Sequence, residues 1–139
     1  MNESKLKQLA DAFAALPDGC KYAIATEDQL DEFESKFGAI PDDFRWFLNH
    51  CGGGTIGSEW VDGIDELSKT HRKFNAEFVI VNGWTMENVF VIGWDGAGNP
   101  FGIETATGRM LVEDHNFGGI HEMSPSFEAF LERGLLSNK

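Results

Sequence analysis

The hydrophobic period of this chain changes near its middle, and that change restricts the folds open to it. Up to about residue 74 the apolar residues recur every three or four positions, whereas beyond it they gather in short runs rich in β-branched side chains. Leu6, Leu9, Ala10 and Phe13 lie on one helical face between residues 4 and 15, and Pro17, Asp18 and Gly19 supply a terminating turn. A second helix is predicted from Thr26, with Gln29 at capping-box spacing. It buries Leu30, Phe33 and Phe37, stops at Gly38, and turns Asp28, Asp31, Glu32 and Glu34 outward. Pro41 at a first helical position, with Asp42 and Asp43 over the helix N-terminus, opens a third helix with Phe44, Phe47 and Leu48 as its core stripe. Gly52, Gly53 and Gly54 break it and read as a helix stop followed by a flexible loop. A less regular helix is predicted over residues 62–74, with Ile64, Leu67 and His71 on one face.

The second half reads as strands. Phe78-Val79-Ile80-Val81 and Val89-Phe90-Val91-Ile92 are continuous apolar runs suited to central strands covered on at least part of both faces. Phe101 and Ile103 alternate with Gly102 and Glu104, and Met110-Leu111-Val112 forms another candidate strand, with turn-rich segments at 95–99 and 105–108. Ser124, Pro125 and Ser126 offer caps for a last helix that turns Phe127, Phe130, Leu131 and Leu135 inward. Val81-Asn82-Gly83-Trp84 and Val91-Ile92-Gly93-Trp94 echo each other as neighbouring strand ends, too short for a repeat. Helices first, then a mostly antiparallel or mixed sheet flanked by them, then a closing helix, make an α+β fold. At 139 residues, with 12 Phe and 4 Trp, one domain over 1–139 can bury a real core.

The charge balance, 11 Lys and Arg against 23 Asp and Glu for a net charge of −12, points to the sign of a partner. A nucleic-acid surface needs clustered cations, and the densest group, Lys69, Arg72 and Lys73, complements the C-terminal end of a predicted helix instead. Direct nucleic-acid binding and anionic membranes are therefore disfavoured, while a cationic protein would be steered toward the chain. Acidity for solubility alone is the plainer alternative. No apolar run reaches the roughly 18 residues of a membrane span, and MNESKLKQ lacks the apolar core of a secretion signal, so a soluble cytoplasmic protein is expected. Cys20 and Cys51 read as reduced thiols, and the chain as a monomer or homodimer.

The search for chemistry yields no active site, no metal site and no cofactor motif. His50 with Cys51, and His115 with His121, lack zinc-site spacing. Residues 95–99 have the look of a calcium loop but lack its further carboxylates, so a tight hairpin turn is the better reading. The glycine run ends a helix where a phosphate cradle would open one, and no Walker lysine follows. Cys51 beside His50 is the tempting nucleophile pair, yet neighbours on a helix point about 100° apart, and Cys51 continues the core stripe. What remains is recognition surface: Glu59, Trp60 and Asp62 after the glycine run, and Trp84 with Met86 and Glu87. An exposed aromatic flanked by carboxylates anchors basic partners. Trp60 and Trp84 equally suit the ends of the core.

Read in order, Ile40-Pro41-Asp42-Asp43-Phe44-Arg45-Trp46-Phe47-Leu48, the three glycines, Phe90-Val91-Ile92-Gly93-Trp94-Asp95-Gly96-Ala97-Gly98-Asn99-Pro100-Phe101, Thr107-Gly108, Asp114-His115 and Ser126-Phe127-Glu128-Ala129-Phe130-Leu131 resemble the SUKH superfamily, the Smi/Knr-type proteins. The resemblance covers roughly residues 26 to 135. It implies an α+β fold with a central sheet flanked by helices, and a protein-binding role without catalysis. Bacterial members of such a family are commonly immunity proteins that neutralise toxins, and fungal relatives regulate cell-wall synthesis. Together with the acidic charge, it makes the expected function that of an immunity protein occluding a basic, nuclease-type toxin through Glu59, Trp60 and Asp62, with Asp42, Asp43 and Glu87 in electrostatic support. A housekeeping scaffold or cell-wall-type regulator is the alternative, and an enzyme centred on Cys51, His50 or His115 the third reading.

Overall fold

The computed structural model of the chain describes residues 3–73, 88–114 and 119–136. The expected strand at 78–81, and with it Trp84, Glu87 and His115, falls outside the described residues. Helices α1 (Glu3–Ala14), α2 (Glu27–Phe37) and α3 (Asp42–His50) come first. Strands β1 (Gly54–Ile56) and β2 (Glu59–Val61) precede α4 (Ile64–Lys73). Then follow β3 (Val89–Trp94), β4 (Pro100–Glu104), β5 (Met110–Glu113), β6 (Ile120–Ser124) and the closing helix α5 (Phe127–Leu135). The strands form one sheet in sequential order, every pair antiparallel. The fold is α+β, as the change of period predicts.

The helix ends follow the capping chemistry of the sequence. The Thr26 hydroxyl accepts the Gln29 N–H at 3.1 Å, and the Gln29 carbonyl accepts the Thr26 N–H at 2.9 Å, a reciprocal box. Ser126 accepts the Ala129 N–H at 3.0 Å and starts α5. Such a cap is worth about 1 kcal/mol. Pro41 sits one residue earlier than expected, as the N-cap of α3: its ψ of 138° is extended, so the helix begins at Asp42. Helix α4 likewise opens at Ile64, since Asp62 still pairs with the sheet through its N–H to the Ile92 carbonyl at 2.7 Å.

Two features depart from the sequence expectation. The glycine run leads directly into the β1–β2 hairpin, whose two-residue turn at Gly57 and Ser58 has positive φ at Gly57. Strand β6 was equally unsignalled, because an edge strand with an exposed face carries no apolar alternation: Ile120, His121 and Glu122 are all exposed. The 95–99 segment is the expected hairpin turn, with the Asp95 carboxylate accepting the N–H groups of Ala97 and Asn99 at 2.9 and 2.8 Å.

The core is built on phenylalanine. Phe13 of α1 meets Phe47 edge-on at 5.3 Å, Phe47 and Phe44 of α3 meet Phe127 of α5 at 5.5 and 5.6 Å, and Phe130 reaches Phe101 of β4 at 5.7 Å. Each ring is fully buried, which contributes about 1.5–3 kcal/mol apiece, and edge-to-face geometry adds about 0.5–1.5 kcal/mol per pair. The Arg45 guanidinium clamps α3 to α2, contacting Glu27, Asp31 and Glu34 at 3.1, 2.8 and 3.4 Å. Part of the acidic face of α2 is thus occupied with holding the fold. Among the described residues no helix is long and apolar enough to cross a membrane.

Candidate protein-binding surface

Helix α3 separates two surfaces. Its nine residues put about 13 Å between its ends, so the expected contributors Asp42 and Asp43 stand well apart from Glu59 and Trp60. Asp42 and Asp43 border a groove of about 580 Å³ whose floor includes Ile40, Ile103 and Phe127. Those three side chains are themselves buried, although the groove as a whole keeps apolar surface open to solvent. The N-termini of α3 and α5 both meet this groove, and each carries roughly half a positive charge, so the field of the two carboxylates is largely offset there. Glu104 on the far wall is held below the usual carboxylate range by hydrogen bonds from the Thr107 hydroxyl at 2.6 Å and the Arg109 guanidinium at 2.8 Å.

At the other end of α3, residues 22, 23 and 24 cross the helix C-terminus in an extended ridge. The Tyr22 N–H donates to the Gly53 carbonyl at 2.8 Å, the Ala25 N–H to the Leu48 carbonyl at 2.9 Å, and the Asn49 side chain to the Ala25 carbonyl at 3.0 Å. Gly52 and Gly53 make this crossing possible. Both are buried at φ of 96° and 116°, and a Cβ there would collide with the carbonyls of Tyr22 and Ala23 in one case and of Asp62 in the other. The expected flexible loop is therefore a packed backbone junction that seats the ridge.

Two of the three exposed large apolar side chains among the described residues, Ile24 and Trp60, lie on or beside the ridge, and the third, Ile120, is on the edge strand β6. Ile24 is 58% exposed and Trp60 45%, and the Trp60 ring lies 6.4 Å from that of Tyr22. Trp60 stands on β2 opposite Thr55 and Trp94, with Glu59 beside it. Two notches flank the ridge. One, of about 140 Å³, is bordered by Ile64, Asp65 and Glu66 at the start of α4. The other, of about 280 Å³, is bordered by Ala10, Phe13 and Ala14 of α1 and by His50 and Cys51. Exposed aromatic and aliphatic anchors within a charged rim are the anatomy of a protein-binding surface.

Asp62 requires a correction. Expected as a surface contributor, it is 5% exposed and takes the Thr70 hydroxyl hydrogen bond at 2.7 Å. The Thr70 oxygen in turn accepts the Trp94 indole N–H at 3.4 Å. Burial pushes the Asp62 carboxyl up to about 7, against the pull of the Thr70 hydrogen bond and with a further push from Glu66. It is a strut beneath the ridge. Asp62 follows directly after β2, two positions from Trp60, and α4 covers it through Thr70 while Trp60 stays exposed.

Cys51, His50 and His71 are tied into the scaffold. Burial raises the Cys51 thiol to about 12, far from a thiolate nucleophile. His50 turns away from it, with Nδ1 3.0 Å from the Trp46 carbonyl and its ring stacked on Trp46 at 5.2 Å. His71 donates from Nε2 to the Val91 carbonyl at 2.9 Å and packs on Phe90, and burial lowers its pKa.

Reasoning from sequence missed Tyr22, Ala23, Ile24 and Glu66 as members of this surface. The signal for Tyr22, Ala23 and Ile24 was an apolar stretch just before a capping box, outside any helical or strand period, while Glu66 reads as a helix first-turn carboxylate. No curated protein matches the chain. Residues 24–133, most of its length, match the SMI1 / KNR4 family (SUKH-1), and with the α+β fold and its sequential sheet in place, the chain belongs to that family.

Proposed function

We propose that this chain is a non-enzymatic binding protein, and that it serves as an immunity protein occluding a basic, nuclease-type toxin domain. The observation that carries the reading is the solvent-facing pair Ile24 and Trp60 set in an acidic rim on a chain of net charge −12. Apolar anchors supply affinity, and the carboxylates accelerate encounter with a cationic partner while imitating the phosphates it grips. Family membership fits this role and fits a cell-wall-type regulator as well. The inert, buried Cys51 and the committed His50 support binding over catalysis.

Co-expression with a toxin encoded by the neighbouring gene tests the proposal. Protection of the cells, with a complex whose association slows as salt is added, is the expected result. A toxin that kills regardless sinks the immunity reading, and a neighbourhood without toxins favours the regulator.

A further inference from the structure

We infer that the ridge reads two neighbouring side chains of a partner at once, a lysine or arginine in one notch and a bulky apolar side chain in the other. The inference rests on the protein-binding reading and names what that surface selects. The notches lie on opposite sides of the same three residues, Tyr22, Ala23 and Ile24, and differ in chemistry.

The smaller notch carries Asp65 and Glu66 on its wall and no basic residue. Behind it, the Glu66 carboxylate lies close over Gly63, where a Cβ would come within 3.0 Å of it. The phenol of Tyr22 titrates above its ordinary value through burial and the nearby Glu66 and Asp62, a sign of the negative field at this point. A cation entering here meets two carboxylates, with its aliphatic stem against Ile24 and Ile64. One helix N-terminus opposes it, against two at the groove of Asp42 and Asp43.

The larger notch is floored by Phe13 and walled by Ala10 and Ala14, whose small side chains leave the room. Its one cation, Lys21, is already committed: Nζ donates to the Ala14 carbonyl at 3.1 Å and lies 3.5 Å from Asp18. An apolar side chain can therefore enter without stranding a charge. The occupant that fits is a protruding segment of a basic protein in which a lysine or arginine stands next to a leucine, methionine or aromatic residue.

Random peptides displayed on phage and panned against the full-length chain test the inference without knowledge of the natural partner. Enriched peptides are expected to pair Lys or Arg with a large apolar residue. Their binding should weaken about tenfold or more in Glu66→Lys and in Ala14→Trp, and should stay within about twofold in Asp42→Asn. Ala14 is exposed and Glu66 half-buried, and thermal melts of each variant confirm an intact fold. Enrichment of uncharged peptides, full binding by both ridge variants, or no enrichment at all would overturn the inference. A toxin that goes unbound while ridge-dependent peptides are selected would instead sink only the immunity reading.

Discussion

At the N-terminal end of α3, Asp42 and Asp43 overlie a groove whose apolar floor is closed by Ile40, Ile103 and Phe127, and two helix termini offset their charge. At the C-terminal end, Ile24 stands in solvent beside Asp65 and Glu66, and Trp60 stands in solvent next to Tyr22. Both ends carry carboxylates and apolar residues within a few positions of each other. Carboxylates face a helix N-terminus at both ends, and the ends differ in whether their large apolar side chains are covered within the chain. Where carboxylates answer helix dipoles and the rings are buried, the residues hold the fold. Where apolar side chains stay exposed, they remain available to something else.

Substitutions can break that contrast. The largest effect is expected at the closed end, where Phe127→Ala removes a ring shared by Phe44 and Phe47 and should cost about 3–5 kcal/mol in urea unfolding. Gly53→Ala comes next, at about 2–5 kcal/mol by the same measurement, since positive φ and backbone overlap both oppose a side chain. A mild effect there would mean the junction beneath the ridge yields after all.

Asp62→Asn sharpens the comparison through pH. The folded chain holds this proton to about pH 7, whereas the carboxyl ordinarily releases it near 3.8. A raised acid pKa stabilises the fold fully below the unfolded value, and that contribution is lost as pH rises through the folded one. The variant, which keeps an acceptor for Thr70, should match the parent at acid pH and exceed it by about 2–4 kcal/mol at pH 8. Parallel stability curves from pH 4 to pH 8 would contradict a buried, proton-retaining Asp62. Arg45→Gln should lose only about 0.5–1 kcal/mol, less at high salt, because the Arg45 clamp is partly exposed. Ile24→Asp should shift stability by no more than about 0.5 kcal/mol while abolishing partner binding. A large loss of stability instead would place Ile24 among the folding residues and erase the distinction between the two ends.

How much of this was legible beforehand varies by element. Helix α2 was readable in full, because its apolar stripe lies within its own eleven residues and its caps, Thr26 and Gly38, directly flank them. The glycine run was misread because the partners that demand glycine, Tyr22 and Asp62, lie about 30 residues back and nine residues ahead. Trp60 was found by its chemistry, and Ile24 was missed because exposure of an aliphatic side chain has no local signature. Asp62 was misplaced because covering by α4 is a property of packing.

The sequence by itself determined which segments are helices, where most of the described strands of the second half begin, the phenylalanine core and the net negative charge. These follow from period, capping and net charge, which act between residues close in the chain or over the chain as a whole. Tertiary structure alone decided that Asp42 and Asp43 stand apart from Trp60, that Asp62 is a strut, and that Tyr22, Ala23 and Ile24 form a ridge between two notches. Exposure and proximity depend on what distant segments leave uncovered, and no local pattern records that.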